Sequence, residues 1–179
     1  MKKLLLFTII LAGTLTACKI KAKIVLKNPS DSLIVVDYGQ NLAAMIKVNQ
    51  FDWFDTQLIN AASFPMPSQK VGQKETLAIK LFDFSGSLTV EAAIAKIIKA
   101  GYRPATIFEL LAFGTYYPEL QKQFPIIALG SPWQSYGGFP YLSFNMGRRT
   151  IDLAWNQYEL GADFRFLAVQ AKFMGYSSR

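Results

Sequence analysis

The feature that most restricts this chain is its first segment. After Met1-Lys2-Lys3, every residue from Leu4 to Ala17 is apolar or small, and the run stops at Cys18. A transmembrane helix needs about 20 apolar residues to cross roughly 30 Å of hydrocarbon. This run is shorter, and Lys19, Lys21 and Lys23 follow at once. A basic start, a short apolar core and small residues before a boundary form the order of a secretory signal peptide, which is removed on export. Residues 1–17 are therefore expected to take no part in the fold. Residues 18–179, which make up 162 of the 179, suit one domain with a sizeable core.

Leu15-Thr16-Ala17-Cys18 resembles the lipobox of bacterial lipoproteins, in which small residues fit the signal peptidase and the cysteine thiol accepts a diacylglyceryl group. The resemblance implies that Cys18 becomes the mature N-terminus and carries the lipid. Each buried methylene contributes about 0.8 kcal/mol, so two or three acyl chains hold a soluble domain where one does not. It also implies export, with the domain held on the outer face of the cell membrane or at the outer membrane. Lys19 stands where an aspartate favours inner-membrane retention.

Cys18 is the only cysteine. Once acylated it leaves no thiol for a disulfide or for thiolate catalysis, so the domain has to stand on its apolar core. Lys19, Lys21, Lys23 and Lys27 lie beside the expected lipid, where anionic headgroups would attract each by about 1 kcal/mol. The alternation Lys19-Ile20-Lys21-Ala22-Lys23-Ile24 also reads as the solvated face of a strand, and the two readings are compatible.

Histidine is absent, which removes the commonest general base, the commonest zinc ligand and every Ser-His-Asp arrangement. The 12 carboxylates are scattered, and Asp52 and Asp55 flank aromatic residues where a calcium loop needs glycine and oxygen ligands. No metal site and no cofactor are expected. Loss of Lys2 and Lys3 leaves 17 basic against 12 acidic residues, a net charge of +5. Spread along the chain, that charge gives no nucleic-acid signature.

The pattern along the chain predicts an α+β fold. Ile24-Val25-Leu26 and Leu33-Ile34-Val35-Val36, separated by Asn28-Pro29-Ser30-Asp31-Ser32, read as a strand pair. Leu42, Met45 and Ile46 have helical spacing, and residues 62–72, with Pro65, Pro67 and Gly72, read as an internal loop. Glu75 to Phe84 alternates as a half-buried strand. Thr89 caps a helix that runs to Ala100 and closes on Gly101, and Thr106 with Glu109 has capping-box spacing for a second helix from about Ile107. Beyond Pro125, Ile126–Leu129, Phe139–Phe144, Thr150–Trp155 and Phe164–Val169 read as antiparallel strands with open loops.

Gly101-Tyr102-Arg103-Pro104-Ala105-Thr106, continuing to Glu109-Leu110-Leu111, resembles the signature that opens a helix in bacterial C-type-lectin-like and formylglycine-generating-enzyme-like domains, with the proline displaced by one position. In those domains irregular loops and strands follow, and the chain closes on a strand at the place held here by Phe164-Arg165-Phe166-Leu167-Ala168-Val169. The resemblance implies N-terminal strands and short helices, then a loop-rich C-type-lectin-like region over about residues 87–172. The copper-binding and disulfide cysteines of those relatives have no counterpart, which excludes that oxidase chemistry. The blocks Arg103–Leu111, Tyr117–Ile126, Ala128–Trp133 and Arg165–Val169 also resemble a group of small bacterial proteins with no established activity.

Trp133, Tyr136, Tyr141, Asn145, Arg148, Arg149, Trp155, Asn156 and Tyr158 fall in or near the glycine-broken C-terminal loops, a mixture of aromatic anchors and adaptable amides found at recognition surfaces. Of these, Trp133, Tyr136, Asn145, Arg148, Arg149, Asn156 and Tyr158 form the expected binding set. Core packing is the competing reading for Trp133, Tyr141 and Trp155. Arg103 and Arg165 read as braces to Glu109 or another carboxylate. Arg148 and Arg149 follow Gly147 at a hairpin tip, where both are expected to be exposed.

The sequence thus predicts a membrane-anchored, non-catalytic binding module of the cell envelope, whose ligand is a glycan, a peptide or an envelope protein. One alternative is a structural or assembly lipoprotein, marked by an apolar patch outside the C-terminal loops. The other is a histidine-free hydrolase with two carboxylates about 5 to 10 Å apart in a cleft.

Overall fold

Alternation of large apolar and polar residues builds the first ladder. In the computed structural model, which describes residues 32–133, 137–155 and 158–171, β1 (Ser32–Asp37) pairs antiparallel with β2 (Lys74–Asp83), setting Ile34 opposite Leu77. Leu33–Val36 is thus a strand as expected, with β2 as its partner. Ile24–Leu26, Cys18 and the four lysines lie outside the described residues.

The last strand, β7 (Arg165–Gln170), is the hub of the sheet. One edge pairs antiparallel with β2. The other is shared: Arg165 and Phe166 run parallel to β4 (Ile126–Ile127), while Ala168 to Gln170 run antiparallel to β3 (Tyr102–Pro104). β5 (Gly138–Asn145) joins β4, and β6 (Arg148–Trp155) closes the far edge, giving a seven-stranded sheet of order β1-β2-β7-β4-β5-β6 with β3 beside β7. The expected α+β class is present, and the reading of the C-terminal strands as antiparallel is corrected at one place, where β4 and β7 pair in parallel. Strands from both ends share one mixed sheet, because the apolar run Phe166-Leu167-Ala168-Val169 is buried on both faces and draws a partner to each edge.

Among the described residues, three helices cover the sheet on its two sides. α1 (Leu42–Asn49) and α3 (Ile107–Tyr116) pack with Ile34, Leu77, Leu142, Ile151, Leu167 and Val169. α2 (Val90–Lys99) packs against the opposite face, where Ile127, Phe139, Phe166 and Ala168 point. Successive β7 residues therefore serve different cores, as the period of two requires.

Local signals set the helix ends. The Asn41 side chain accepts from Ala44 N at 2.9 Å and the Thr89 hydroxyl from Ala92 N at 3.2 Å. Gly101 leaves α2 at φ +84, where a glycine carries no Cβ penalty. α3 is buried continuously from Ile107 to Gly114, so it behaves as a core helix, apolar around its circumference except at the hydrogen-bonded Glu109. Among the described residues no helix is long and apolar enough to cross a membrane.

Candidate functional site

The far end of the sheet carries the most projecting feature. β5 and β6 are joined by Met146-Gly147, both at positive φ (48 and 78), with Asn145 paired to Arg148. A two-residue hairpin of this hand favours asparagine and glycine; a methionine in the left-handed region costs about 1 kcal/mol. Met146 nonetheless sits there, 93% exposed.

Arg148 is exposed at this tip as expected. Arg149 is not, and the expectation is corrected. Its Nη1 donates to Asn49 O at 2.7 Å, its Nη2 and Nε to Gln121 Oε1 at 3.1 and 3.3 Å, and its guanidinium lies 5.5 Å over the Phe51 ring. Neighbouring strand residues face opposite sides, and Arg149 shares the core side with Ile151 and Leu153. Burial holds its pKa below the usual arginine value. Gln121 in turn donates to Ser143 O at 2.6 Å, so this arginine ties α1 and the Leu120–Lys122 turn to the hairpin. Segment 51–54 lies along the outer edge of β6: Arg149 N donates to Asp52 Oδ2 at 2.7 Å, Asp52 N to Arg149 O at 2.9 Å, and Trp53 bridges Thr150.

On the other edge, β5 outruns β4. β4 pairs only with Leu142 and Tyr141, leaving Ser143 to Asn145 beside an open groove of about 350 Å³. Lys122, Phe124, Tyr141, Ser143, Asn145 and Asp163 are among its lining residues. The Tyr141 ring packs against Phe164 at 5.4 Å, and burial, then the nearby Asp152 charge, raise its pKa above the ordinary tyrosine value. Among the described residues, Asp163 is the carboxylate that lines the groove. Among the described residues no three of the Cys, Asp and Glu side chains come together as a metal cluster.

The expected binding set is thus only partly assembled. Asn145 and Arg148 share the tip. Trp133 packs edge-on against Trp155 at 5.6 Å, with both indoles against the core. Tyr158 is exposed in the loop after β6. Tyr136 and Asn156 lie outside the described residues. Three residues that the sequence-based set left out, Trp53, Phe144 and Met146, are exposed at the tip at 48%, 40% and 93%. An exposed-looking methionine directly before Gly147, between two apolar runs, is the sequence signal that could have found them.

Arg103 and Arg165 are braces, as expected. Arg165 pairs with Asp83 at 3.0 Å and stacks 4.9 Å over Phe124. Arg103 grips Glu109 with two bonds of 2.9 and 2.6 Å; Glu109 also accepts from Thr106 N at 2.7 Å and from the Tyr38 hydroxyl at 3.3 Å. Burial, and then the Glu109 charge, push the Tyr38 pKa well above the ordinary tyrosine value. The native state therefore keeps Tyr38 protonated where the unfolded chain ionises, near pH 10. Its contribution is fully present below that pH and is lost as pH rises through 10 toward the raised native value. Urea unfolding from pH 8 to 11 is expected to show stability falling above about pH 10, and less steeply in Tyr38→Phe. Equal slopes in the two proteins would contradict this.

Comparison with protein-family models, curated proteins and solved structures returned no match to this chain.

Proposed function

We propose that the chain is exported, lipid-anchored through Cys18 to the outer face of the cell membrane or to the outer membrane, and that its α+β domain is a non-catalytic binding module. The observation that carries the binding reading is the open groove where β5 runs past β4. Its walls combine Phe124 and Tyr141 with the hydroxyl, amide and charged groups of Ser143, Asn145 and Asp163, the chemistry that orients a small polar ligand. A glycan, a peptide or a segment of an envelope protein fits that description. The C-type-lectin-like reading belongs here too. It is supported by the capping box that opens α3 at Thr106 and by a last strand that pairs back against β2.

Two experiments test this. Metabolic labelling with a fatty acid should tag the wild type and miss Cys18→Ser; equal labelling of both would sink the anchor. A panel of defined oligosaccharides and peptides should contain a ligand whose binding falls at least tenfold in Asn145→Ala, a loss of about 1.4 kcal/mol. A panel in which nothing depends on Asn145 would remove the groove as the ligand site.

A second reading, assembly into an envelope complex, has its own observation. Leu33, Val35, Val48 and Tyr116 are all 41% exposed or more, and the last three line one shallow groove beside the outer edge of β1. The Tyr116 hydroxyl accepts from Val35 N at 3.3 Å and so caps that strand edge. Such a patch lies outside the C-terminal loops, as an assembly surface would.

A further inference from the structure

We propose that the β5–β6 hairpin tip is a membrane-docking element, seating Met146, Trp53 and Phe144 in the headgroup region of the bilayer to which the chain is anchored. The proposal rests on the membrane attachment proposed above and goes beyond it by assigning an orientation to the domain.

Met146 is the first argument. The turn holds its backbone at φ 48, a conformation that asparagine or glycine adopts at lower cost, yet a long apolar side chain stands there in the open. A local rule broken without compensation inside the fold marks a position selected for something outside it. The second is company. Trp53, carried in by the segment beside β6, lines the same shallow depression of about 270 Å³ as Met146 and Arg148, and Phe144 flanks the tip with the Lys122 ammonium 5.8 Å from its ring. Tryptophan concentrates at membrane interfaces because its ring is apolar and its N–H is wet.

The sheet topology places the tip near the anchor. β6 runs parallel to β1, since β1-β2, β2-β7 and β5-β6 are antiparallel pairs, β7-β4 is parallel and β4-β5 antiparallel. Both strands therefore begin at the same end of the sheet: the chain arriving from Cys18 enters at Ser32 where the hairpin tip projects. Five strand spacings separate β1 from β6, roughly 24 Å at about 4.8 Å each. Residues 18–31 reach at most roughly 50 Å when extended, enough to span that distance despite a twist of about 20–25° per strand. A bilayer holding Cys18 is thus within reach of the tip.

The charge near the tip is mixed, Arg148 and Lys122 against Asp52 and Glu119, with Lys122 paired to Glu119 at 2.9 Å. The contact is therefore carried by the apolar and aromatic groups. It should be little affected by salt or by the anionic lipid content.

The test uses the full chain on phosphatidylcholine and phosphatidylglycerol vesicles, with and without lipids brominated near the headgroup. Subtracting the emission of Trp53→Phe isolates Trp53, because Trp133 and Trp155 sit together at the opposite end of β6. The Trp53 signal is expected to shift to the blue and to be quenched about threefold by brominated lipid, as for an interfacial indole. Met146→Asn, which suits the turn, should keep or raise the thermal midpoint while losing most of that quenching. Three results would overturn the proposal: a chain that stays off the vesicles, an unquenched Trp53 on bound chain, or quenching unchanged in both Met146→Asn and Phe144→Ser. Unquenched Trp53 with an intact groove ligand would sink the docking alone; quenching with no groove ligand would sink the binding reading alone.

Discussion

Glu109→Ala is expected to lower the unfolding free energy by about 3–5 kcal/mol, toward the lower end of that range. The carboxylate is 1% exposed and accepts from two Arg103 nitrogens, the Thr106 amide and the Tyr38 hydroxyl. Its removal takes away one half of the α3 capping box, worth about 1 kcal/mol, and leaves buried donors without an acceptor at about 1–3 kcal/mol each. Arg103 tempers the loss, since 41% of its side chain is exposed and the freed guanidinium hydrates. The pair also gives a control. Arg103→Met with Glu109→Met removes both charges and should cost less than Glu109→Ala alone, because no ion is left unpaired. Urea denaturation checks both; a single variant losing under about 1 kcal/mol would mean that the bonds are not native-state constraints.

Gly114→Ala sets two opposing effects against each other. Within a helix, alanine is favoured over glycine by about 1 kcal/mol. At this position, however, the added Cβ would stand 2.6 Å from Asn49 Oδ1 and 2.9 Å from Leu142 Cδ1. Asn49 has nowhere to go: it is 3% exposed and its Nδ2 donates to Met45 O and Leu111 O at 2.9 Å each. Overpacking costs about 1–3 kcal/mol and displacing a buried double hydrogen bond about as much again, so packing wins and a net loss of about 2 kcal/mol is expected. Thermal and urea unfolding should both show it. A stabilised variant would mean that α1 and α3 do not approach as closely as Gly114 permits. Gly114→Ala combined with Asn49→Ala should be less than additive, since the second change removes the atom that clashes.

Much of the local structure was legible because its causes are local. Asn41 and Thr89 cap their helices through bonds to residues three positions on, and Thr106 and Glu109 close their box within one turn. The alternation in Glu75–Phe84 shows as β2, with Leu77 and Ile79 inside. The brace role of Arg103 also followed from the chain, because its carboxylate partner is six residues away. β3 was harder: with three residues it carries no periodicity of its own and forms where it finds half of one edge of β7. β4 falls within the expected strand Ile126–Leu129, but its partners, β7 in parallel and β5 antiparallel, are set by the fold.

The site divides in the same way. Sequence by itself determined that a hairpin tip falls at Gly147 with Arg148 and Arg149 after it, between the runs Phe139–Phe144 and Thr150–Trp155, since a glycine between two alternating apolar runs is a local turn signal. Only the tertiary structure decided which of the two arginines faces water, because strand parity has meaning only once one side is covered by α1 and α3. It alone set Trp53 beside a turn more than ninety residues later, through the bridge to Thr150, and opened the groove where β4 ends before β5 does. The physical reason is common to all three: these features arise from pairing between distant segments, whose cost and gain no local window of sequence contains.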